Sequence, residues 1–176
     1  MISRFARKGV KYKEGSSIPP SNMTKEDVEK YARKVAGITK FATGDDPTEV
    51  VAQLGGRCKI LDMSDWVEET GSIYVHREYD FDIILPRYTS PLRDRFTICH
   101  ELGHFFLHSN MGEVPIVAYR QGSTRIEWEA NWFAASLLMP KVEFLAALKE
   151  TDDLTRIAAK FKVSCEAARV RKEAIG

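Results

Sequence analysis

No stretch of this chain approaches the ~18 consecutive apolar residues that a bilayer-crossing helix needs, so a helical membrane span is not expected. Cysteine is scarce. Cys58, Cys99 and Cys165 are odd in number and widely separated, which argues against a disulfide framework and fits a reducing compartment. No pair of them has the spacing of a zinc knuckle, so the thiols read as packing residues. Charge of one sign is also missing: the formal net charge is +1 over 176 residues. No global field therefore points to nucleic acid, membrane or an acidic substrate. The charged opening is followed by polar residues and not by the apolar core of a secretory signal, so the expected location is cytoplasmic. There is no internal repeat and no low-complexity tract.

What remains is an ordinary globular composition, 44% hydrophobic, enough to build a core for one domain plus a short accessory unit. Residues 1–22 are basic (Arg4, Arg7, Lys8, Lys11, Lys13) and then turn-rich, and read as a flexible arm. Thr24 can cap a helix running to about Lys34, with Asp27 in the capping-box place. A short helix follows Asp46-Pro47 and ends near Gly55-Gly56. Three strand-like runs come next, at 58–61, 72–76 and 81–86, each short and bounded by polar or turn residues. After Pro86 the pattern is helical. One long helix starts at Ser90-Pro91 and runs to His108, with proline at the first position where its missing N–H costs nothing. A second spans about 125–139 and is stopped by Pro140. Shorter helices are expected at 142–149, 154–161 and 164–173. The fold class is α+β: a small three-stranded, mostly antiparallel sheet against a helical core. The units are an arm (1–22), a main domain (23–150) and a C-terminal helix-turn-helix-like pair packed on it (151–176).

The segment that carries chemistry is His100-Glu101-Leu102-Gly103-His104. Residues four apart on a helix lie on one face, so the two imidazoles can converge on a single ion. Zinc accepts neutral imidazole nitrogen, and a catalytic zinc site takes three protein ligands and keeps one position open. Glu101, beside the first ligand, can serve as general base toward water. An isolated histidine on an apolar helix is usually a packing residue. Here three of the four histidines fall between 100 and 108, and two flank a glutamate that would be expensive to bury unpaired. His108 cannot be the third ligand, because it lies two turns and ~12 Å along the axis from His100. Asn110 and Leu107 also exclude the longer three-histidine motif.

The third ligand must come from another element. Glu127 and Asn131 share a face of the second helix, so one can coordinate while the other orients a histidine ring. Two readings compete with this. Thr124 and Glu127 also fit a capping box, and Glu129 is a second carboxylate in reach. Spacing alone ranks Glu127 above Glu129 without deciding between them. A donor for the transition state is expected as well; Tyr119, Tyr88, His76 and His108 are candidates of equal standing. The C-terminal pair has Ser164 as cap and Arg169, Arg171 and Lys172 on its second helix. A duplex-reading role competes there with simple packing on the core, and packing is favoured.

The run from Arg95 to His108, followed by Glu127-Trp128-Glu129-Ala130-Asn131-Trp132-Phe133-Ala134-Ala135 and Leu137-Leu138-Met139-Pro140, resembles the ImmA/IrrE family of metallo-endopeptidases. The likeness extends more loosely from about Pro47 to Gly176, and residues 1–45 carry little of it. The resemblance implies a gluzincin-like zinc site with His100 and His104 as ligands, Glu101 catalytic and Glu127 completing the set. It also implies a protein substrate, a helix-turn-helix transcriptional repressor encoded nearby. The alternative is a non-catalytic, zinc-containing regulator that binds a repressor or DNA. The spacing does not itself choose zinc over another divalent ion.

Overall fold

The computed structural model describes residues 4–67, 70–120 and 122–175. Residues 1–3, the first of the expected arm, lie outside the described residues. Five strands and seven α-helices are described: β1 (Lys13–Glu14), α1 (Lys25–Thr39), α2 (Pro47–Gln53), β2 (Gly56–Leu61), β3 (Ile73–Arg77), β4 (Asp80–Pro86), α3 (Pro91–Leu107), β5 (Ile116–Ala118), α4 (Arg125–Leu138), α5 (Lys141–Glu150), α6 (Leu154–Phe161) and α7 (Cys165–Ile175). The α+β class holds, but the sheet is larger and more mixed than expected. Its order is β1-β5-β3-β4-β2. The central pairs β3–β4 and β3–β5 are antiparallel, whereas the outer pairs β2–β4 and β1–β5 are parallel. The two extra strands are two and three residues long. Such lengths are too short for an alternating pattern to register.

Alternation does explain the two faces of the sheet. Ile73, Val75, Phe81, Ile83, Ile116 and Ala118 point into the main core with α3, where Phe81 stacks on Phe105 at 4.3 Å between ring centroids. Tyr74, Ile84, Leu61 and Val117 form a smaller cluster on the opposite face. That face is covered by Phe5, Ala6, Tyr12, Trp66 and Tyr119. Residues 4–14, expected as part of a flexible arm, are thus laid across the back of the sheet. Lys13 and Glu14 pair with Ile116 and Val117.

The helix starts follow the capping chemistry of the sequence. Ser90 accepts from the Arg93 N–H ahead of Pro91 in α3, and Thr24, Asp46, Asp153 and Ser164 cap α1, α2, α6 and α7. α1 runs to Thr39, five residues beyond the expected end, because Val35 and Thr39 continue its buried face. α3 and α4 cross closely at Gly103. A β-carbon there would lie 2.9 Å from the Ala130 Cα and 3.2 Å from the Phe133 Cβ. This close approach brings the two functional helices face to face.

Candidate metal centre

α3 and α4 each present side chains to a cleft of about 400 Å³. His100 and His104 come from successive turns of α3, and Glu127 from the first turn of α4. The His100 Nε2 and His104 Nε2 atoms are 3.1 Å apart. Glu127 Oε2 lies 3.1 Å from His100 Nε2, and Glu127 Oε1 lies 3.2 Å from His104 Nε2. Tetrahedral zinc with ligands at roughly 2.0–2.1 Å has ligand–ligand edges of about 3.3 Å. The spacing of the three groups matches that figure. They form the one His/Cys/Asp/Glu cluster with ligating geometry among the described residues.

The surrounding hydrogen bonds fix where the ring protons sit. Glu129 accepts at Oε2 from His108 Nε2, 2.9 Å away. With its Nε2 proton committed, His108 Nδ1 is the acceptor for the Nδ1–H of His104, at 3.0 Å. His104 therefore turns a bare Nε2 into the cleft. His100 Nδ1–H donates to Asn131 Oδ1 at 2.8 Å, which aims its Nε2 at Glu127. Two imidazole Nε2 atoms and a carboxylate thus converge within 3.1–3.2 Å of one another. A divalent cation among the three would be met by all of them at once. The donor set fits zinc, which takes neutral imidazole nitrogen and carboxylate oxygen.

Burial acts against charge on His100, but Glu127, Glu101 and Asn131 prevail and raise its pKa. Burial pushes the His104 imidazole down to about 4, so it is neutral, the form in which histidine ligates. Burial opposes charge on Glu127, but the two imidazoles beside it prevail and hold its carboxyl down at about 2. Glu101 moves the other way. It is fully buried, and desolvation raises its pKa against the pull of His100 and Arg120. Neither Glu101 carboxylate oxygen has a hydrogen-bond partner among the described residues.

Two alternatives left open by spacing have distinct outcomes. Thr124 makes no side-chain capping bond, and Glu127 faces the imidazoles instead. Glu129 sits one layer back. Besides His108 it accepts from Arg125 Nε at 2.9 Å and from the Ser21 and Asn22 N–H groups at 2.9 and 3.0 Å. None of the four candidate transition-state donors lines the cleft. Tyr119 donates to Glu14 Oε2 at 2.9 Å, Tyr88 is 81% exposed, and His108 belongs to the Glu129 layer. His76 is buried between the Tyr12 hydroxyl (2.6 Å) and Asp82 (3.2 Å). A residue the sequence did not single out is there instead. Arg120 lines the cleft, with its Nε 3.9 Å from Glu101 Oε1 and its guanidinium over the Trp66 ring. It also donates to the Ile84 carbonyl. No spacing rule marks Arg120, because it follows β5 in a connection without periodicity.

A mixed sheet backing an H-E-x-x-H helix, with a carboxylate supplied by the next helix, defines a metallopeptidase-type domain. The sequence profile of the peptidase M78 family, the IrrE N-terminal-like domain, matches residues 64–173, and the chain belongs to that family. In fold the chain is similar to a Mycobacterium tuberculosis transcriptional regulator, with a TM-score of 0.54 and 17% identity. The match covers 84% of this chain and 46% of that one, so the chain spans about half the regulator's length. No curated protein sequence matches the chain significantly.

Proposed function

We propose that the protein is a zinc-dependent endopeptidase with His100, His104 and Glu127 as metal ligands and Glu101 as general base. The observation that carries this reading is the convergence of two imidazole Nε2 atoms and one ionised carboxylate at ligating distances. Zinc bound there would supply Lewis acidity toward a peptide carbonyl and would acidify water. Asn131 and His108 hold the two ligand rings in the tautomers that point Nε2 into the cleft. Glu101, desolvated and raised in pKa, accepts the proton of the attacking water and delivers it to the leaving amine. Arg120 is the cationic donor facing the negative charge that develops on the carbonyl oxygen.

The substrate we infer is a protein, a helix-turn-helix repressor encoded nearby, by analogy with the family. Residues 23–150 would carry the site, with 4–22 laid against them and 151–176 as a helical pair packed on them. The setting would be cytoplasmic, consistent with three free cysteines and with the lack, among the described residues, of a helix long and apolar enough to cross a membrane. Duplex reading by α7 is disfavoured by its own contacts. Arg171 is buried and donates to the Met139 carbonyl, and Arg169 is held by Glu166 and Glu173.

The competing reading is a zinc-containing regulator that binds its partner without cutting it. Glu101→Gln separates the two. This variant is expected to keep zinc and to lose cleavage of a co-expressed repressor. Equal processing by wild type and variant would reject the enzymatic role.

A further inference from the structure

Beside the metal centre runs a second, larger hollow of about 750 Å³, within the range of ligand sites. It is walled by α3, α4 and α7 and shares Phe96, Thr97, Trp128 and Asn131 with the cleft that holds His100 and Glu127. The two are thus one continuous depression. Its distal half is apolar. Ala135 and Ala167 are small residues along it, and Leu92 and Val170 remain 39% and 50% exposed beside the half-exposed ring of Trp128. Large apolar side chains grouped along one groove mark a binding surface more often than scattered ones do. Charge is confined to Lys25, Arg93, Glu166 and Arg171 among its lining residues, and Glu166 is paired with Arg169. Arg171 is already committed to Met139 and Glu29.

We propose that this groove holds the substrate polypeptide on one side of the scissile bond, in extended form, and selects large apolar residues there. The proposal rests on the peptidase reading and deepens it. The argument for this occupant is continuity. A chain whose carbonyl lies over His100 and Glu127 passes between Phe96 and Trp128 when it leaves the cleft on this side. An extended chain advances ~3.3 Å per residue, so the residues a few positions from the cut are the ones that reach Leu92 and Val170. Bulky apolar side chains gain most from such a surface. Losing the burial of one of them weakens binding by about tenfold or more.

Two measurements test this and keep its failure apart from that of the enzymatic reading. The first is binding, with zinc-loaded Glu101→Gln protein and two synthetic 14-residue peptides built on Gly, Ser and Asn. One peptide carries a central Leu-Phe-Leu; the other does not. NMR of methyl-labelled protein is expected to show shifts at Val170, Ala167 and Leu92 with the apolar peptide only. Val170→Glu or Leu92→Glu, both at exposed positions, should each weaken that binding about tenfold or more while leaving zinc content and thermal unfolding unchanged. Shifts confined to other surfaces, none at all, or charge variants that bind the apolar peptide as tightly as the parent Glu101→Gln protein would overturn the groove. The second is cleavage of a proteome-derived peptide pool by wild-type protein. Sites enriched in Leu, Phe, Met or Ile at one position near the cut, with that enrichment lost in Val170→Glu, support the proposal. Cleavage without such a preference rejects the groove but leaves the peptidase standing. Groove binding without any cleavage does the reverse.

Discussion

At the scale of single residues, the site is decided by where three ring protons sit. Glu129 fixes His108, His108 fixes His104, and Asn131 fixes His100, so a carboxylate that never touches the cleft sets the tautomer of a ligand. Glu129→Gln or His108→Ala is therefore expected to weaken zinc about 10–100-fold, read by competition with a chromophoric chelator. Unchanged affinity in both would show that the Glu129 layer is only packing. Arg120 gives a second residue-scale expectation. Arg120→Lys keeps a positive charge but loses the planar fork, and should lower kcat by about 10²-fold with little change in KM. An effect confined to KM would assign Arg120 to substrate binding instead. Much of this layer could be read from spacing: the i, i+4 histidines and the Glu127/Asn131 pair lie on shared helical faces. Arg120 could not, since its place comes from a connection between β5 and α4. The Glu129 role was also hidden, because its partner Ser21 is 108 positions away.

At the scale of elements, the metal centre depends on how closely α3 approaches α4. Gly103 allows that approach, and Gly103→Ala sets two effects against each other. Alanine gains ~1 kcal/mol of helix propensity. The added methyl must push into backbone atoms of Ala130 at 2.9–3.1 Å, an overpacking cost of about 1–3 kcal/mol. Overpacking wins, because the obstructing atoms are main chain and cannot rotate away. The variant should unfold at lower temperature and bind zinc less tightly. A stabilised variant with normal affinity would mean that the helices can part without loss. The long helices were legible because capping residues and Pro140 mark their ends. The sheet was legible only in its three longer strands. β1 and β5 are created by pairing across the molecule, and two or three residues carry no period of their own.

At the scale of the whole molecule, the basic opening segment is not free of the domain. It closes the rear face of the sheet, and a polar cluster fastens it there. The buried Asp82 accepts from Arg57, Lys59 and His76, while Tyr12 reaches His76 from the segment itself. Burial acts against the Asp82 charge, but its three cationic and imidazole partners prevail and hold its carboxyl well below the usual aspartate range. A lowered folded-state pKa gives stability that is present above the ordinary value of about 3.9 and is lost as pH falls through the folded value. Asp82→Asn should therefore cost about 2 kcal/mol at neutral pH, some 4–8 °C in Tm for a chain of this size. It should also flatten the loss of stability on acidification and speed proteolysis within residues 4–14. An unchanged Tm and acid profile would show that the cluster does not hold the segment. Composition alone reads these basic residues as solvated. Only long-range pairing of Tyr12 and Lys13 reveals otherwise.

The arrangement of His100, His104 and Glu127 is tested most directly by titrating chelator-stripped protein with zinc and examining the product by X-ray absorption. One equivalent should bind, with two imidazole nitrogens and carboxylate oxygen in the coordination shell, and His104→Ala and Glu127→Ala should each abolish stoichiometric uptake while remaining folded. Failure of the wild-type protein to bind zinc, or uptake by the two variants equal to that of the wild type, would contradict the account.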